Sequence, residues 1–283
     1  MLVTTKEMLE KARKSNYAVP AINTQGGNYD IIRACCLAAE EMQSPIILAH
    51  YVSTGAYAGH DWFYEVGKWM ANKVNVPVAI HLDHGDSTAI CKECLDIGFT
   101  SIMYDGSLLS VEENAKNTNE VIEMSHKKGV PVEAEIGELL RLDDIKKGIQ
   151  STNTVKVEDV KRFLELCHPD SLAIGIGNAH GYYTDTPNIR LEILEEVCKF
   201  TDIPLVLHGC TGMSHDIIKK SLNMGISKIN FGTQIRFQYM EHLAKALEEE
   251  KNGRSFIAMK NASDWLKEDV KKIIELSNSQ GQA

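Results

Sequence analysis

Eight short apolar runs, each followed by a segment with helical spacing of apolar residues, constrain the fold of this chain more than any other feature of its sequence. The runs are rich in Val, Ile and Leu and are continuous rather than alternating, which is typical of parallel strands covered by helices. The candidate strands are 18–22, 45–49, 77–82, 101–104, 130–135, 172–176, 204–207 and 228–231. Eight such βα units predict an α/β fold, a single closed (β/α)8 TIM barrel, with a doubly wound open sheet as the alternative.

The segments between and after these strands define the domain organisation. Helical patterns cover 29–43, 62–73, 87–96, 111–127, 157–167, 191–200 and 214–224. The segment after the fifth strand, about 137–156, is instead long, charged and poor in apolar periodicity, which is typical of a mobile loop over the active face of a barrel. Residues from about 236 to 283 read as a C-terminal helical extension, with helical patterns at 241–249 and 263–275. Because 283 residues suit one such barrel, we predict a single domain from 1 to 283.

Composition excludes several classes of partner. The chain has 30 basic and 39 acidic side chains, a formal charge of −9, and no basic patch with interleaved aromatic residues, which argues against nucleic acid as a partner. Its sequence has neither an apolar leader nor an apolar run of membrane-spanning length. The seven cysteines are odd in number and have no framework spacing, which is typical of a reducing compartment. We therefore expect a cytoplasmic protein that does not contact membranes.

Three of the apolar runs are followed by a histidine and then at once by a glycine. These histidines are His84, His180 and His208. In a parallel barrel they would converge on one face, where three imidazoles are a ligand set that a catalytic zinc uses with its fourth position open. The alternative is three unrelated structural histidines. A metal at this face would polarise a carbonyl oxygen, and Asp83, next to a ligand, would be placed for proton transfer.

Two glycine-containing turns follow the seventh and eighth strands. They read Gly209-Cys-Thr-Gly212 and Asn230-Phe-Gly-Thr233. Barrels commonly bind phosphate at this position with backbone N–H groups and hydroxyls. A pair of tight turns without a ligand is the alternative, but their joint position favours a phosphate site.

At these residues the sequence resembles the class II, zinc-dependent ketose-bisphosphate aldolases, a family that includes fructose- and tagatose-bisphosphate aldolases. The resemblance covers nearly the whole chain. The matching stretches are Ala18-Val-Pro-Ala-Ile-Asn23, Ser44-Pro-Ile-Ile-Leu48, His81-Leu-Asp-His84, Val132-Glu-Ala-Glu-Ile-Gly137, Ala179-His-Gly181 and Val206-Leu-His-Gly209.

The resemblance implies a reaction and assigns roles to residues. It implies reversible cleavage of a ketose 1,6-bisphosphate to dihydroxyacetone phosphate and glyceraldehyde 3-phosphate, with one Zn²⁺ per subunit. Asp83 would be the acid/base that acts on the C4 hydroxyl, and Glu135 an alternate metal ligand. Asn23 would lie near the reacting centre. The C1 phosphate would be bound by Gly181, Gly209, Thr211, Asn230 and Thr233.

It also implies features that reach beyond one subunit. Arg254, in Asn252-Gly253-Arg254, would bind the distal phosphate from the neighbouring subunit, as the arginine of an Asp-Pro-Arg turn does in the family. A homodimer or homotetramer is therefore expected, and a monovalent cation is a second candidate cofactor. In the loop after the fifth strand, a Gly-Gly pair and a proton-transferring glutamate are replaced by Leu140, Arg141 and Asp143. Asp143 would then exchange the C3 proton.

Three alternatives to a bisphosphate aldolase remain at this point. The first is an aldolase of the same mechanism that acts on another phosphorylated ketose, such as a monophosphate or another anionic sugar. The second is a metal-dependent hydrolase barrel, for which we would expect a His-x-His pair on the first strand, and residues 18–23 contain none. The third is a catalytically idle barrel, supported only by the altered loop.

Overall fold

A computed structural model describes residues 1–137, 154–181, 183 and 187–283. Its strands form a closed barrel in the order β1 to β8, with every neighbouring pair parallel. The strands are β1 Val19–Asn23, β2 Ile46–Tyr51, β3 Val78–Gly85, β4 Ser101–Tyr104, β5 Val132–Ile136, β6 Ser171–Ile174, β7 Leu205–Leu207 and β8 Ile226–Phe231. The predicted TIM barrel is confirmed, since β1 pairs with β8 and no open edge remains in this sheet.

Helices cover the outside of the barrel. In chain order they are α1 Thr5–Ser15, α2 Tyr29–Met42, α3 Gly55–Ala58 after a 3₁₀ turn at Val52–Thr54, α4 His60–Ala71, α5 Thr88–Ile97, α6 Val111–His126, α7 Val157–Leu166, α8 Leu191–Val197, α9 His215–Leu222, α10 Thr233–Glu249 and α11 Ser255–Leu276. Side chains such as Asn28, Ser87 and Ser110 accept hydrogen bonds from the first turns of their helices, as N-caps do.

Helix α1 closes the N-terminal end of the barrel, where no element was predicted from sequence. Met8, Leu9 and Ala12 pack in one buried cluster with Val19 of β1 and Ile47 of β2. The helix was not predicted because charged residues separate these apolar ones, so that only a narrow stripe of the helix is apolar and the helical pattern in the sequence is weak. The opposite end of the barrel is consequently the open one.

The C-terminal helices are held against α2 by polar contacts as well as by apolar packing. The hydroxyl of Tyr239 donates to Asp30 Oδ2 over 2.7 Å, and Ser263 Oγ donates to the Asp30 carbonyl over 2.8 Å. Arg33 Nη1 donates to Asp264 Oδ1 at 2.8 Å. The C-terminal extension is thus an integral part of the barrel's outer layer.

The chain returns to the barrel beside β6 after the loop of the fifth strand. Thr154 pairs there with Ile176 in an isolated antiparallel bridge. Loop residues 138–153, and Asp143 with them, lie outside the described part of the chain. In the described ranges no helix is long and apolar enough to cross a bilayer.

Candidate active site

The histidines that follow β3, β6 and β7 meet at the open end of the barrel. The ring centroids of His84 and His208 are 4.7 Å apart, and that of His180 lies 4.9 Å from His84 and 6.1 Å from His208. One nitrogen of each ring lies within 4.8 Å of the others. The structure therefore brings together the three side chains that the His-Gly pattern singled out.

A carboxylate orients the ring of His84. Its Nδ1 is 2.7 Å from Asp105 Oδ2, and Asp105 is held in turn by the backbone N–H and hydroxyl of Ser107. With Nδ1 engaged, the buried Nε2 has no hydrogen-bond partner among the described residues. The backbone of His84 is in the left-handed region, with φ 53°, a strained conformation that often marks functional sites.

A second carboxylate orients the ring of His208. Its Nε2 is 3.0 Å from Glu133 Oε1, so Nδ1 is the nitrogen that faces the other imidazoles. Asn230 Nδ2 is 3.3 Å from this Nδ1. A carboxylate behind a histidine is the arrangement that metal-binding histidines usually have, because it fixes the tautomer and the direction of the lone pair.

Glu135 adds a carboxylate that no hydrogen bond satisfies within the described chain. Both of its oxygens are buried and without a donor, while Oε2 lies 3.6 Å from His84 Nδ1. Burial raises the pKa of Glu135 well above its usual value, and the nearby Asp105 raises it further. Ligand atoms of His84, Asp105 and Glu135 form a second group close enough to share one ion.

The charges of the site fit a cation. Burial lowers the pKa of His84, but the carboxylates of Glu135, Asp105 and Asp83 raise it more strongly, to about 10. Proton affinity this high shows how strongly the surrounding carboxylates favour positive charge at this position. Three imidazoles with an adjacent carboxylate are a donor set that Zn²⁺ takes in proteins. Among the described residues, Nε2 of His84 and both carboxylate oxygens of Glu135 have no hydrogen-bond partner, so they are available to a metal ion.

Asp83 is held as an acceptor beside these histidines. Its Oδ1 accepts a hydrogen bond from Asn230 Nδ2 at 3.1 Å. Burial raises the pKa of Asp83, but its electrostatic interactions with His84, His208 and Lys228 outweigh burial and hold that pKa below its usual value. The carboxylate is consequently available to accept a proton.

These residues open into one cavity of about 910 Å³ at the C-terminal ends of the strands. Most residues that were assigned to the site from sequence line it. They are Asn23, Asp83, His84, His180, Gly181, Gly209, Thr211, Asn230 and Thr233. His208 and Glu135 lie buried directly beneath this lining.

One corner of the cavity is built from the turns after β7 and β8. The N–H of Gln234, in the first turn of α10, donates to Thr211 Oγ1 over 3.2 Å and ties the two turns together. Gly209 has a φ of 68°, and a Cβ there would lie 2.4 Å from the carbonyl oxygen of Ala179. Two glycine-containing turns, the hydroxyl-bearing residues Thr211 and Thr233 and the N-terminus of α10 meet at this corner, an arrangement suited to phosphate.

Arg236 lines the same cavity and was missed from sequence. It lies one turn after Thr233 on α10, and it is the only lysine or arginine among the described lining residues. Its spacing from Thr233 could have identified it, because residues i and i+3 of a helix share a face and Thr233 was already assigned to the phosphate site.

Arg254 has a different location from the other candidates. Its side chain is exposed at the turn between α10 and α11, where Nη2 lies 3.3 Å from Glu250 Oε2. It is not among the described residues that line the cavity of its own subunit. A role for Arg254 therefore requires a second subunit, as the family resemblance implies.

Two further residues near the histidines were not assigned from sequence. The ring of Tyr51, at the end of β2, stands edge-on to His84 at 6.0 Å between centroids and lines the cavity. Lys228 of β8 is fully buried and pairs with Glu133. The position of this lysine at the start of an apolar run could have indicated a buried ion pair, since a lysine is almost never fully buried unless it is paired.

Comparison with known proteins gives a consistent result. The family model described as fructose-bisphosphate aldolase class-II matches residues 3–282. A fructose-bisphosphate aldolase of Mycoplasma pneumoniae is 38% identical over 259 residues, which cover 89% of this chain and 87% of that protein. The crystal structure of the YdjI aldolase from Escherichia coli K12 superposes with a TM-score of 0.87 at 31% identity and covers 100% of both chains. The fructose-bisphosphate aldolase of Campylobacter jejuni, at 20% identity and a TM-score of 0.80, shares the fold.

Proposed function

Because the chain belongs to the class-II fructose-bisphosphate aldolase family, we propose that the cavity above His84, His180 and His208 is the active site of a zinc-dependent ketose-bisphosphate aldolase. The enzyme is an aldehyde-lyase. It reversibly cleaves a ketose 1,6-bisphosphate, fructose or tagatose bisphosphate, to dihydroxyacetone phosphate and glyceraldehyde 3-phosphate. The observation that carries the assignment of residues is the convergence of three oriented imidazoles and Asp83 on one cavity.

The residues that would hold the metal follow from the orientation of the rings. His84 offers Nε2, His208 offers Nδ1, and His180 completes the set for one Zn²⁺ per subunit. Glu135 is the alternate ligand, because its carboxylate oxygens have no hydrogen-bond donor among the described residues. When bound, Zn²⁺ is a Lewis acid that stabilises the negative charge that develops on the substrate's oxygens as the C3–C4 bond breaks.

Asp83 transfers the proton. Its carboxylate lines the cavity beside the ligands and accepts the C4 hydroxyl proton of the ketose during cleavage. Asn230 donates to Asp83 Oδ1, which fixes the carboxylate and leaves Oδ2 for the substrate. In the reverse direction the same carboxyl group returns the proton to the aldehyde oxygen.

The C1 phosphate occupies the corner between the turns after β7 and β8. Thr211, Thr233 and the first N–H groups of α10 face this corner, with Gly181 and Gly209 allowing close approach of the backbone. We add Arg236 to this set, because a guanidinium on the same face of the helix as Thr233 supplies the charge that the corner otherwise lacks. Asn23, at the end of β1, borders this corner, because β1 pairs with β8 and a Cβ on Gly232 would lie 3.5 Å from Asn23 Cβ.

Other parts of the assignment rest on the family pattern. Arg254 would bind the distal phosphate of the neighbouring subunit's substrate, which requires a homodimer or homotetramer. Asp143 would exchange the C3 proton from the loop after β5. A monovalent cation and a cytoplasmic location also remain predictions, the latter supported by the odd number of cysteines.

One assay tests the function as a whole. Purified protein would be stripped with a chelator, reloaded with Zn²⁺ and incubated with fructose or tagatose 1,6-bisphosphate while triose phosphate is measured. We expect cleavage only in the reloaded protein, and the sugar that turns over faster identifies the preferred C4 epimer. Release of inorganic phosphate without triose phosphate would indicate a hydrolase and refute the proposal.

A further inference from the structure

A chain of buried polar side chains crosses the barrel directly beneath the histidines. It runs from Thr5 of α1 through Ser101, His81, Lys228 and Glu133 to His208. Every member is at most 3% exposed. None of these residues except His208 has a part in the reaction described above, so their hydrogen bonding inside an apolar barrel needs a separate explanation.

Lys228 is the centre of this chain. Its ammonium group has three N–H donors, and three acceptors lie around it. Nζ is 2.9 Å from Glu133 Oε1, 2.8 Å from Glu133 Oε2 and 3.2 Å from His81 Nε2. A buried ammonium group whose three donors are all engaged is fixed in direction.

His81 supplies the third acceptor around Lys228. Its Nδ1 lies 2.8 Å from Ser101 Oγ, and its Nε2 faces the ammonium group of Lys228. Since an ammonium group only donates, Nε2 must accept, and the imidazole is neutral with its proton on Nδ1. His81 therefore supports Lys228 and leaves the Glu133 carboxylate to the other two donors.

We propose that Lys228 is a positioning residue that holds Glu133 so that Oε1 accepts the Nε2–H of His208, which keeps the Nδ1 lone pair of His208 directed at the metal. The proposal rests on the proposed function in taking His208 as a ligand. Lys228 does not act as a nucleophile in this proposal, because its Nζ is fully buried and all three of its N–H donors face acceptors. Without Lys228 the Glu133 carboxylate loses two of its three side-chain hydrogen bonds in the described chain, and only the bond to His208 Nε2 remains.

Two substitutions and a control test this role. Lys228→Met removes the ammonium group at similar volume, and Glu133→Gln keeps the shape but removes the charge. Asp269→Asn is the matched control, because Asp269 of α11 also lies 2.7 Å from a histidine nitrogen, Nε2 of His242, and neither residue is among the described residues that line the cavity. Zinc affinity would be measured by competition with a chromophoric chelator, and the visible spectrum of the Co²⁺-substituted proteins would report the ligand field.

We expect Lys228→Met and Glu133→Gln each to weaken zinc affinity by about 10- to 100-fold, the usual effect of losing a group that orients a ligand. Both should alter the Co²⁺ spectrum, and the double variant should be no worse than the more severe single one, since both changes act on His208 through the side chain at position 133. Asp269→Asn should lower thermal stability at most. Unchanged zinc affinity and an unchanged Co²⁺ spectrum in Lys228→Met would overturn the proposal and leave Lys228 a purely structural residue.

A measurement on the parent protein keeps the test valid if a variant fails to fold. Nitrogen-15 NMR of the zinc-loaded parent should show His208 protonated at Nε2 and His81 protonated at Nδ1. A zinc-bound His208 protonated at Nδ1 would overturn the proposal. A parent that binds no zinc at all would instead refute the proposed function first, so the two failures are distinguishable.

Discussion

Arg236 and Arg254 are proposed to bind different phosphates of the substrate. The substitution Arg236→Gln tests the role of Arg236, which the sequence did not predict and the structure suggested. Arg236 lines the cavity at the corner assigned to the C1 phosphate, whereas Arg254 lies exposed at the α10–α11 turn. A hydrogen bond to a charged group contributes about 1.5–3 kcal/mol. Since Arg236 is solvent-exposed, we use the lower end of this range, which corresponds to roughly a tenfold loss in kcat/KM.

The assay compares a ketose 1-phosphate with the corresponding 1,6-bisphosphate in coupled steady-state kinetics. Because both substrates carry the C1 phosphate, Arg236→Gln should lower kcat/KM by about the same factor for both. Arg254→Gln is the matched variant and should affect only the bisphosphate, mainly through KM. A loss confined to the bisphosphate in Arg236→Gln would place this guanidinium at the distal phosphate, and no loss with either substrate would remove it from the site.

Three other predictions test the remaining roles. Alanine variants of His84, His180 and His208 should each lose zinc and activity together. An inactive variant that still binds stoichiometric zinc would show that the substituted histidine is not a ligand. Asp83→Asn keeps an acceptor for Asn230 but removes the base, so zinc content and melting temperature should stay near the parent values while kcat falls about 100-fold or more; near-normal turnover would disprove the role. Asp143→Ala should slow exchange of the C3 proton of dihydroxyacetone phosphate with deuterium oxide in the absence of aldehyde, and an unchanged rate would show that another group moves this proton.

The barrel was predictable from sequence because each strand is a continuous apolar run with a clear helical segment behind it. The elements that were missed or shortened lack that contrast. Helix α1 presents only a narrow apolar stripe between charges. Helices α10 and α11 begin at Thr233 and Ser255, well before the predicted starts at 241 and 263, because exposed apolar residues such as Phe237 and Phe256 obscure the amphipathic period there.

The same reasoning separates the site residues that were predictable from those that were not. His84, His180 and His208 could be grouped because the C-terminal ends of parallel strands meet at one face. The roles of Glu133 and Lys228 depend on which residues of different strands lie side by side inside the barrel, and strand pairing register is not visible in a single sequence. Arg236 belongs to a solvent-exposed helix, where an arginine is ordinary and carries no signal by itself.

Gly209 has a consequence for how this sequence can vary. A Cβ at this position would lie 2.4 Å from the carbonyl oxygen of Ala179, and Ala179 and Gly209 are each the chain neighbour of a proposed ligand, His180 and His208. Any larger residue would therefore push the two imidazoles apart while it blocked the phosphate corner. In a saturation library selected for growth on the aldolase reaction, position 209 should return glycine alone. Gly253 has a similar φ of 71°, but no atom of the described residues lies within 4 Å of where its Cβ would be, so position 253 should accept asparagine or aspartate.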